Sequence, residues 1–272
     1  MSDNLEPEPS DERGGGEGDA PPVDAAAFAR ARTLVQSATS ITVLTGAGIS
    51  TDSGIPDFRG PDGVWTLSPD AEMMSNIETY LAEEDVRRRA WRHRATSEMW
   101  TAVPNPGHDA VVALERQGRL RCVVTQNIDG LHHAAGTHPE LIVEVHGSVR
   151  DGVCTDCDYQ VPIEVVLERV RGGDDDPRCP TCGGILKSST VLFGEQLPHG
   201  AMRQAFDALV NSDLLIAVGT TLTVFPVASL VPEAVRGGVP VVIVNGGPTD
   251  MDDIVDVVVR GSISEVLGQL VT

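Results

Sequence analysis

Two periodicities divide the chain. Six short segments, Ile41–Leu44, Arg121–Thr125, Leu141–Val145, Leu214–Val218, Val239–Val244 and Ile254–Val259, are largely apolar and rich in β-branched residues instead of alternating. Such runs predict strands buried on both faces, as in a parallel sheet. Apolar positions elsewhere recur at helical spacing. Asp24 can cap a helix carrying Ala27, Phe28, Ala31, Leu34 and Val35, and Gly107–Gln117, His199–Val210 and Val227–Arg236 read as further helices. Strands alternating with helices predict an α/β fold with a doubly wound, mostly parallel, Rossmann-like sheet. Two regions break the alternation, residues 61–103, with a basic helix-like stretch at Asp85–Ser97, and residues 150–190. They predict an inserted small lobe, so that 24–60, 104–149 and 191–272 make up the main domain.

Composition narrows the function. Asp and Glu outnumber Lys and Arg by 40 to 20, for a formal charge of −20, and Lys187 is the only lysine. A surface of that sign repels nucleic acid and anionic membranes, although solvation alone accounts for it equally well. Residues 1–23, rich in Pro, Gly and acid, read as a disordered tail. No apolar run is long enough for a membrane span, and the acidic start does not resemble a signal peptide, so a cytoplasmic protein is expected.

Four of the five cysteines form two C-x-x-C pairs, Cys154/Cys157 and Cys179/Cys182, the latter followed by two glycines. Two thiolates of one such turn can grip a single tetrahedral ion, so the spacing predicts a four-thiolate zinc ribbon. Four ligands close the shell, which points to a structural ion; a redox reading is weak because neither pair opens a helix after a strand. The acidic run Asp174–Asp176 between the pairs argues against a ribbon that binds nucleic acid. Cys122, inside an apolar run, reads as a buried thiol.

Polar residues gather where the expected strands end. After Ile41–Leu44, "TGAGISTDSGIPDFRG" starts like a dinucleotide-binding turn, with Gly46 and Gly48 flanking Ala47, but Thr51 stands where the third glycine of G-x-G-x-x-G belongs. Gly54, Pro56, Gly60 and Pro61 then leave Asp57, Phe58 and Arg59 in a loop. "TQNIDGLHH" sets Gln126, Asn127 and Asp129 after the next strand, "IVEVHGSV" sets His146 after another, and "AVGTTLTVFP" and "IVNGGPTD" offer Gly219, Thr220, Thr221 and Asn245. Open α/β sheets bind ligands at these carboxyl ends, so the convergence predicts a nucleotide cleft.

In order along the chain, "GAGISTDSGIPDFRG", "TQNIDGLH", "HG", the two C-x-x-C pairs, "FGE", "GTTL" and "VN" resemble the sirtuins, NAD-dependent protein deacylases, over roughly residues 25–272. The resemblance implies that Gly46, Ala47 and Gly48 line the pyrophosphate of NAD, that Ser50 also contacts the cofactor, that Asp57, Phe58 and Arg59 ride on a mobile cofactor loop, and that Gln126, Asn127 and Asp129 face the nicotinamide and its ribose. Asn127 and His146 would be catalytic, His146 as general base. It also implies phosphate contacts by Gly219, Thr220 and Thr221, a ribose contact by Asn245, and an adenine site near Ser262 and Ile263. Val191, Phe193 and Gly194 would receive the acylated peptide as an added strand, with Phe193 lining the acyl-lysine tunnel. In the implied reaction the acyl-lysine oxygen displaces nicotinamide and leaves an alkylimidate. His146 then helps a ribose hydroxyl attack it, and water releases lysine and O-acyl-ADP-ribose.

Two departures bear on the substrate. Leu192 stands where the family usually carries an aromatic residue, and "WRHR" supplies Trp91 and Arg94 but no tyrosine for the Tyr-x-x-Arg of members that remove acidic acyl groups. Acetyl or another neutral acyl group is therefore favoured. The alternatives are ADP-ribosyl transfer to protein, a non-catalytic zinc-ribbon module and a hydride-transferring dehydrogenase.

Overall fold

In the computed structural model, which describes residues 23–60, 63–67 and 73–272, the strands are β1 Ile41–Thr45, β2 Leu120–Thr125, β3 Ile142–Glu144, β4 Asp151–Cys154, β5 Gln160–Pro162, β6 Leu186–Ser188, β7 Leu214–Val218, β8 Val241–Val244 and β9 Val257–Val259. The disordered tail expected before residue 24 lies outside the described residues, apart from Val23.

Six strands form one parallel sheet in the order β3-β2-β1-β7-β8-β9. The order reverses between β1 and β7, where Ile41 pairs with Leu214 and Thr45 with Val218, and that reversal opens a crevice at the strands' carboxyl ends. Alternate side chains enter two separate cores. Ile41, Val43 and Ile216 pack under the helices Ala25–Ser37, Pro106–Arg116 and Ile263–Val271. Leu44, Val124 and Ala217 pack under Ala201–Val210 and Leu230–Gly237. Both faces are covered, so each strand needs apolar residues at every position, and that is why the runs are continuous. Cys122 is buried in the second core, where burial pushes its thiol up to about 11. No helix of the described residues is long and apolar enough to cross a membrane.

Besides the short helices Val64–Leu67, Ile77–Ala82 and Leu131–Ala135, the structure has two longer ones that the periodicity reading does not contain. Ile163–Arg171 lies between the cysteine pairs and buries Ile163, Val166, Leu167 and Val170. Ile263–Val271 follows a Ser262 cap whose side chain accepts from the Glu265 N–H. Some ends shift as well. β8 starts at Val241, because the Val239 N–H closes the preceding helix on Ala234, and Ile254 belongs to a 3-10 turn ahead of β9. The helix expected from Val227 begins with a 3-10 turn and continues as Leu230–Gly237.

β5, β4 and β6 form a small antiparallel sheet. Trp91, from the helix Glu84–Ala95, shares one core with Ile163, Leu167, Cys179 and Leu186, so segments from both interruptions of the α/β pattern build one small lobe. Arg87 ties the segments together. Its guanidinium is almost fully buried, grips Asp176 through two bonds of 2.9 and 3.1 Å, and donates to the Tyr80 and Leu81 carbonyls. Arg88 pairs with Asp175 and Arg169 with Asp174. The acidic run thus serves as a set of anchors for arginines. Deleting one partner of the buried Arg87–Asp176 pair would cost about 3–5 kcal/mol.

Candidate active site and metal centre

The turns after β1 and β7 cross in contact. Gly46 N–H donates to Val218 O at 3.0 Å and Gly48 N–H to Gly219 O at 2.9 Å. A Cβ on Gly48 would lie 2.8 Å from Gly219 Cα, and one on Gly219, at φ +62°, would lie 2.4 Å from Ile49 N. These glycines are required by the crossing itself, a reason that the dinucleotide motif does not convey. Beyond the crossing the chain runs as a short 3-10 helix, Ala47–Ser53, and not as a regular Rossmann helix. Among the described residues, the N–H groups of Ala47, Thr220 and Thr221 have no partner within the chain. Unpaired amides at the carboxyl edge of a parallel sheet suit the phosphates of a dinucleotide.

Ser50, Asn127 and Asp129 form one network. Ser50 Oγ donates to Asp129 Oδ2 at 2.8 Å and accepts from Asn127 Nδ2 at 3.1 Å, while the Leu131 N–H donates to Asp129 Oδ1 at 2.8 Å. Gln126 reaches across the crevice to Thr220 Oγ1 at 3.0 Å. Thr221 bonds Thr223, and Asn245 donates to Gly247 O at 2.9 Å. Ser262 caps its helix, and the Ile263 side chain is buried in the first core.

His146 follows β3, and its Nδ1 lies 3.0 Å from Gln126 O. A carbonyl can only accept, so Nδ1 carries the proton and Nε2 keeps its lone pair. Burial lowers the His146 pKa below 6.5, and the Gln126 bond offsets part of that shift. The ring is neutral at pH 7. Gly147, at φ +69°, lets the chain pass under Ser189, whose carbonyl oxygen would be 2.2 Å from an added Cβ, and the Val191 N–H donates to His146 O at 2.8 Å.

Asp57 closes its own loop by accepting from the Gly60 N–H at 2.9 Å. Phe58 stacks on Trp65 with ring centroids 4.8 Å apart, Trp65 meets Phe193 at 5.5 Å, and Arg59 lies over the Trp65 ring at 4.5 Å. The loop therefore touches the expected peptide segment through Trp65, which sequence reading does not single out. Phe193 is also bridged to residues 75–77, and the Gly194 backbone remains free among the described residues. Trp91 is fully buried in the small-lobe core, with Arg94 over its ring at 5.6 Å, and so does not face the crevice.

Behind the site lies a histidine pair that no motif announces. His132 Nε2 is 3.0 Å from Thr45 Oγ1, and its ring meets His108 edge-on with centroids 5.0 Å apart. Burial lowers both pKa values, that of His132 to about 3.

The metal-ligating sulfurs of Cys154, Cys157, Cys179 and Cys182 all lie within 4.8 Å of one another, with Cys154–Cys182 at 3.5 Å and Cys157–Cys179 at 3.7 Å. Tetrahedral zinc with 2.3 Å bonds sets sulfurs about 3.8 Å apart, whereas a disulfide would need about 2.05 Å. The Asp156 and Gly184 N–H groups donate to Cys154 and Cys182 sulfurs at 3.3 and 3.4 Å, which favours thiolates. The donor set fits one structural zinc ion.

A doubly wound sheet with a glycine crossing at its switch point, polar strand ends around a histidine, and an inserted four-thiolate lobe defines a Rossmann-type nucleotide-using protein. The sequence profile of the Sir2 family matches residues 46–226. NAD-dependent protein deacetylase 2 of Streptomyces coelicolor is 44% identical over 230 residues, covering 85% of this chain and 95% of the relative. The NAD-dependent protein deacetylase of Rhodopseudomonas palustris is 38% identical over 240 residues, covering 88% and 93%. A solved Sir2 enzyme is 36% identical with a TM-score of 0.82, over 90% of this chain and 96% of that one. Sir2Tm bound to a propionylated peptide is 32% identical with a TM-score of 0.80, over 89% and 96%. This chain belongs to the Sir2 family.

Proposed function

We propose that the protein is an NAD-dependent protein-lysine deacylase that removes acetyl groups first among neutral acyl groups, releasing nicotinamide and O-acyl-ADP-ribose. Bound NAD supplies an electrophilic ribose carbon with nicotinamide as leaving group. The chain's residues do the rest. Ala47, Thr220 and Thr221 offer backbone N–H groups to the pyrophosphate, Asn245, Ser262 and Ile263 lie at the adenosine end, and Ser50, Gln126, Asn127 and Asp129 orient the nicotinamide ribose. Asp57, Phe58 and Arg59 cover that ribose and exclude water. His146 Nε2 takes a proton from a ribose hydroxyl, a task for which a neutral imidazole at working pH is suited. The Val191 carbonyl and the Gly194 backbone hold the peptide through main-chain bonds, which demand little of its sequence, while Phe193, whose own N–H and carbonyl bind Ser75 and Ile77, contributes its ring.

Residues 24–60, 104–149 and 191–272 act as the cofactor domain in this reading, with 61–103 and 150–190 as the small lobe. Four reduced thiolates suit the cytoplasm.

The observation that carries the proposal is a single tautomer of His146, fixed by Gln126 O with Nε2 free, beside the segment that takes the peptide. The test incubates the protein with NAD and an acetyl-lysine peptide and reads nicotinamide release and product mass. The expected product is acetyl-ADP-ribose, while ADP-ribosylated protein would favour transfer instead. A folded His146→Ala variant with undiminished turnover would overturn the mechanism.

A further inference from the structure

The chain's only lysine points inward. Lys187 is buried, and its ammonium lies 3.1 Å from Ser188 O, 2.8 Å from Thr190 O and 3.0 Å from Glu195 Oε2. An ammonium has three donors, so this set uses all of them. Glu195 turns back onto the same loop, where its Oε2 also accepts from the Leu192 N–H at 2.8 Å. That loop bonds His146 O through Val191, while its middle, Phe193 and Gly194, is exposed. Phe193 ties the tip to residues 75–77 and to Trp65, while these polar ties shape the chain on either side of it, at Thr190, Leu192 and Glu195.

We propose that Lys187 and Glu195 are a positioning pair for the acylated peptide, holding Thr190–Leu192 and the tight turn Leu192–Glu195 in register with His146. The inference rests on the deacylase reading of that segment. Neither side chain touches the reacting atoms; the pair acts through Val191, Phe193 and Gly194. Arginine is a poor substitute at position 187. Its planar fork returns the charge but does not present three donors around one nitrogen.

The test is steady-state kinetics on the zinc-loaded full chain, varying an acetyl-lysine peptide at saturating NAD, then varying NAD. Lys187→Met keeps the length of the side chain without its charge, and Glu195→Gln keeps the shape of its partner. Each is expected to raise the peptide KM about tenfold, the effect of losing one charged hydrogen bond, with kcat and the KM for NAD nearly unchanged. Lys187→Arg should recover part of the loss, and the double variant should be little worse than either single one, because the same ties are lost once. A merely structural role would lower zinc content, melting temperature and kcat together. The inference is overturned if folded Lys187→Met keeps the wild-type peptide KM, or if only kcat falls. Should that variant fail to fold, Glu195→Gln decides by the same criterion. A wild-type protein that releases no nicotinamide with the peptide overturns the deacylase reading instead.

Discussion

Acid should weaken this fold through His132, a side chain that never meets water. It is 2% exposed, and burial first, then the neighbouring His108 and His133, lower its pKa from 6.5 to about 3. The folded pKa lies below the unfolded one, so the unfolded chain binds the proton more readily. The stability tied to a neutral His132 is complete above pH 6.5 and is lost as pH falls toward 3. The loss is about 0.8 kcal/mol at pH 6 and about 2 kcal/mol at pH 5, a large part of a typical margin of about 5–15 kcal/mol. His132→Phe removes the titration. It leaves Thr45 Oγ1 without its partner, which should cost about 1–3 kcal/mol at every pH. His132 Nδ1 has no partner to lose. Urea unfolding of both zinc-saturated chains at pH 8, 6 and 5 checks this: the variant should start lower and fall less, the gap narrowing by about 2 kcal/mol between pH 8 and 5. His146 and the zinc thiolates are present in both chains, so the difference reports His132 together with its effect on the adjoining His108. Parallel losses would refute the reasoning.

Activity should rise with pH through the depressed pKa of His146 and be flat from neutrality upward, and His146→Ala should lose about 10²- to 10⁴-fold in kcat at pH 8 with an unchanged melting temperature; pH–rate profiles with saturating substrates check both. Gly219→Ala combines a left-handed backbone with a 2.4 Å approach to Ile49 N, so a loss of at least about 2 kcal/mol is expected together with weakened NAD binding, read by denaturation and calorimetry. Metal analysis should find one zinc per chain, and Cys182→Ser should reduce both the bound zinc and the melting temperature.

The main sheet is legible in the sequence because strands buried on both faces must be apolar throughout, and Leu214–Val218 shows this most simply. The polar strand ends are legible for a related reason, since Gln126, Asn127 and His146 follow apolar runs where packing gives them no purpose. Ile263–Val271 is a different case: Ser262 and Glu265 have capping-box spacing but make only the Ser262 half of the box, and the helix, about two and a half turns long, gains from burial against distant strands. Ile163–Arg171 likewise gains its stability from Trp91 and Leu186, far away in sequence. The site's supports are hidden for the same reason. Thr45 meets His132, Gly48 meets Gly219, and Phe58 reaches Phe193 through Trp65. Apart from Phe58 on Trp65, each contact joins residues remote along the chain, and only the folded topology brings them together.

The pairing of Ile41 with Leu214 also sets a schedule. During synthesis β1 and β2 are made long before β7, so the centre of the cofactor sheet waits with one apolar edge unpaired. The small lobe has its last strand, β6, and all four thiolates before that edge can close. A chain arrested between β6 and β7 would hold its four thiolates complete and still expose the bare flank of β1.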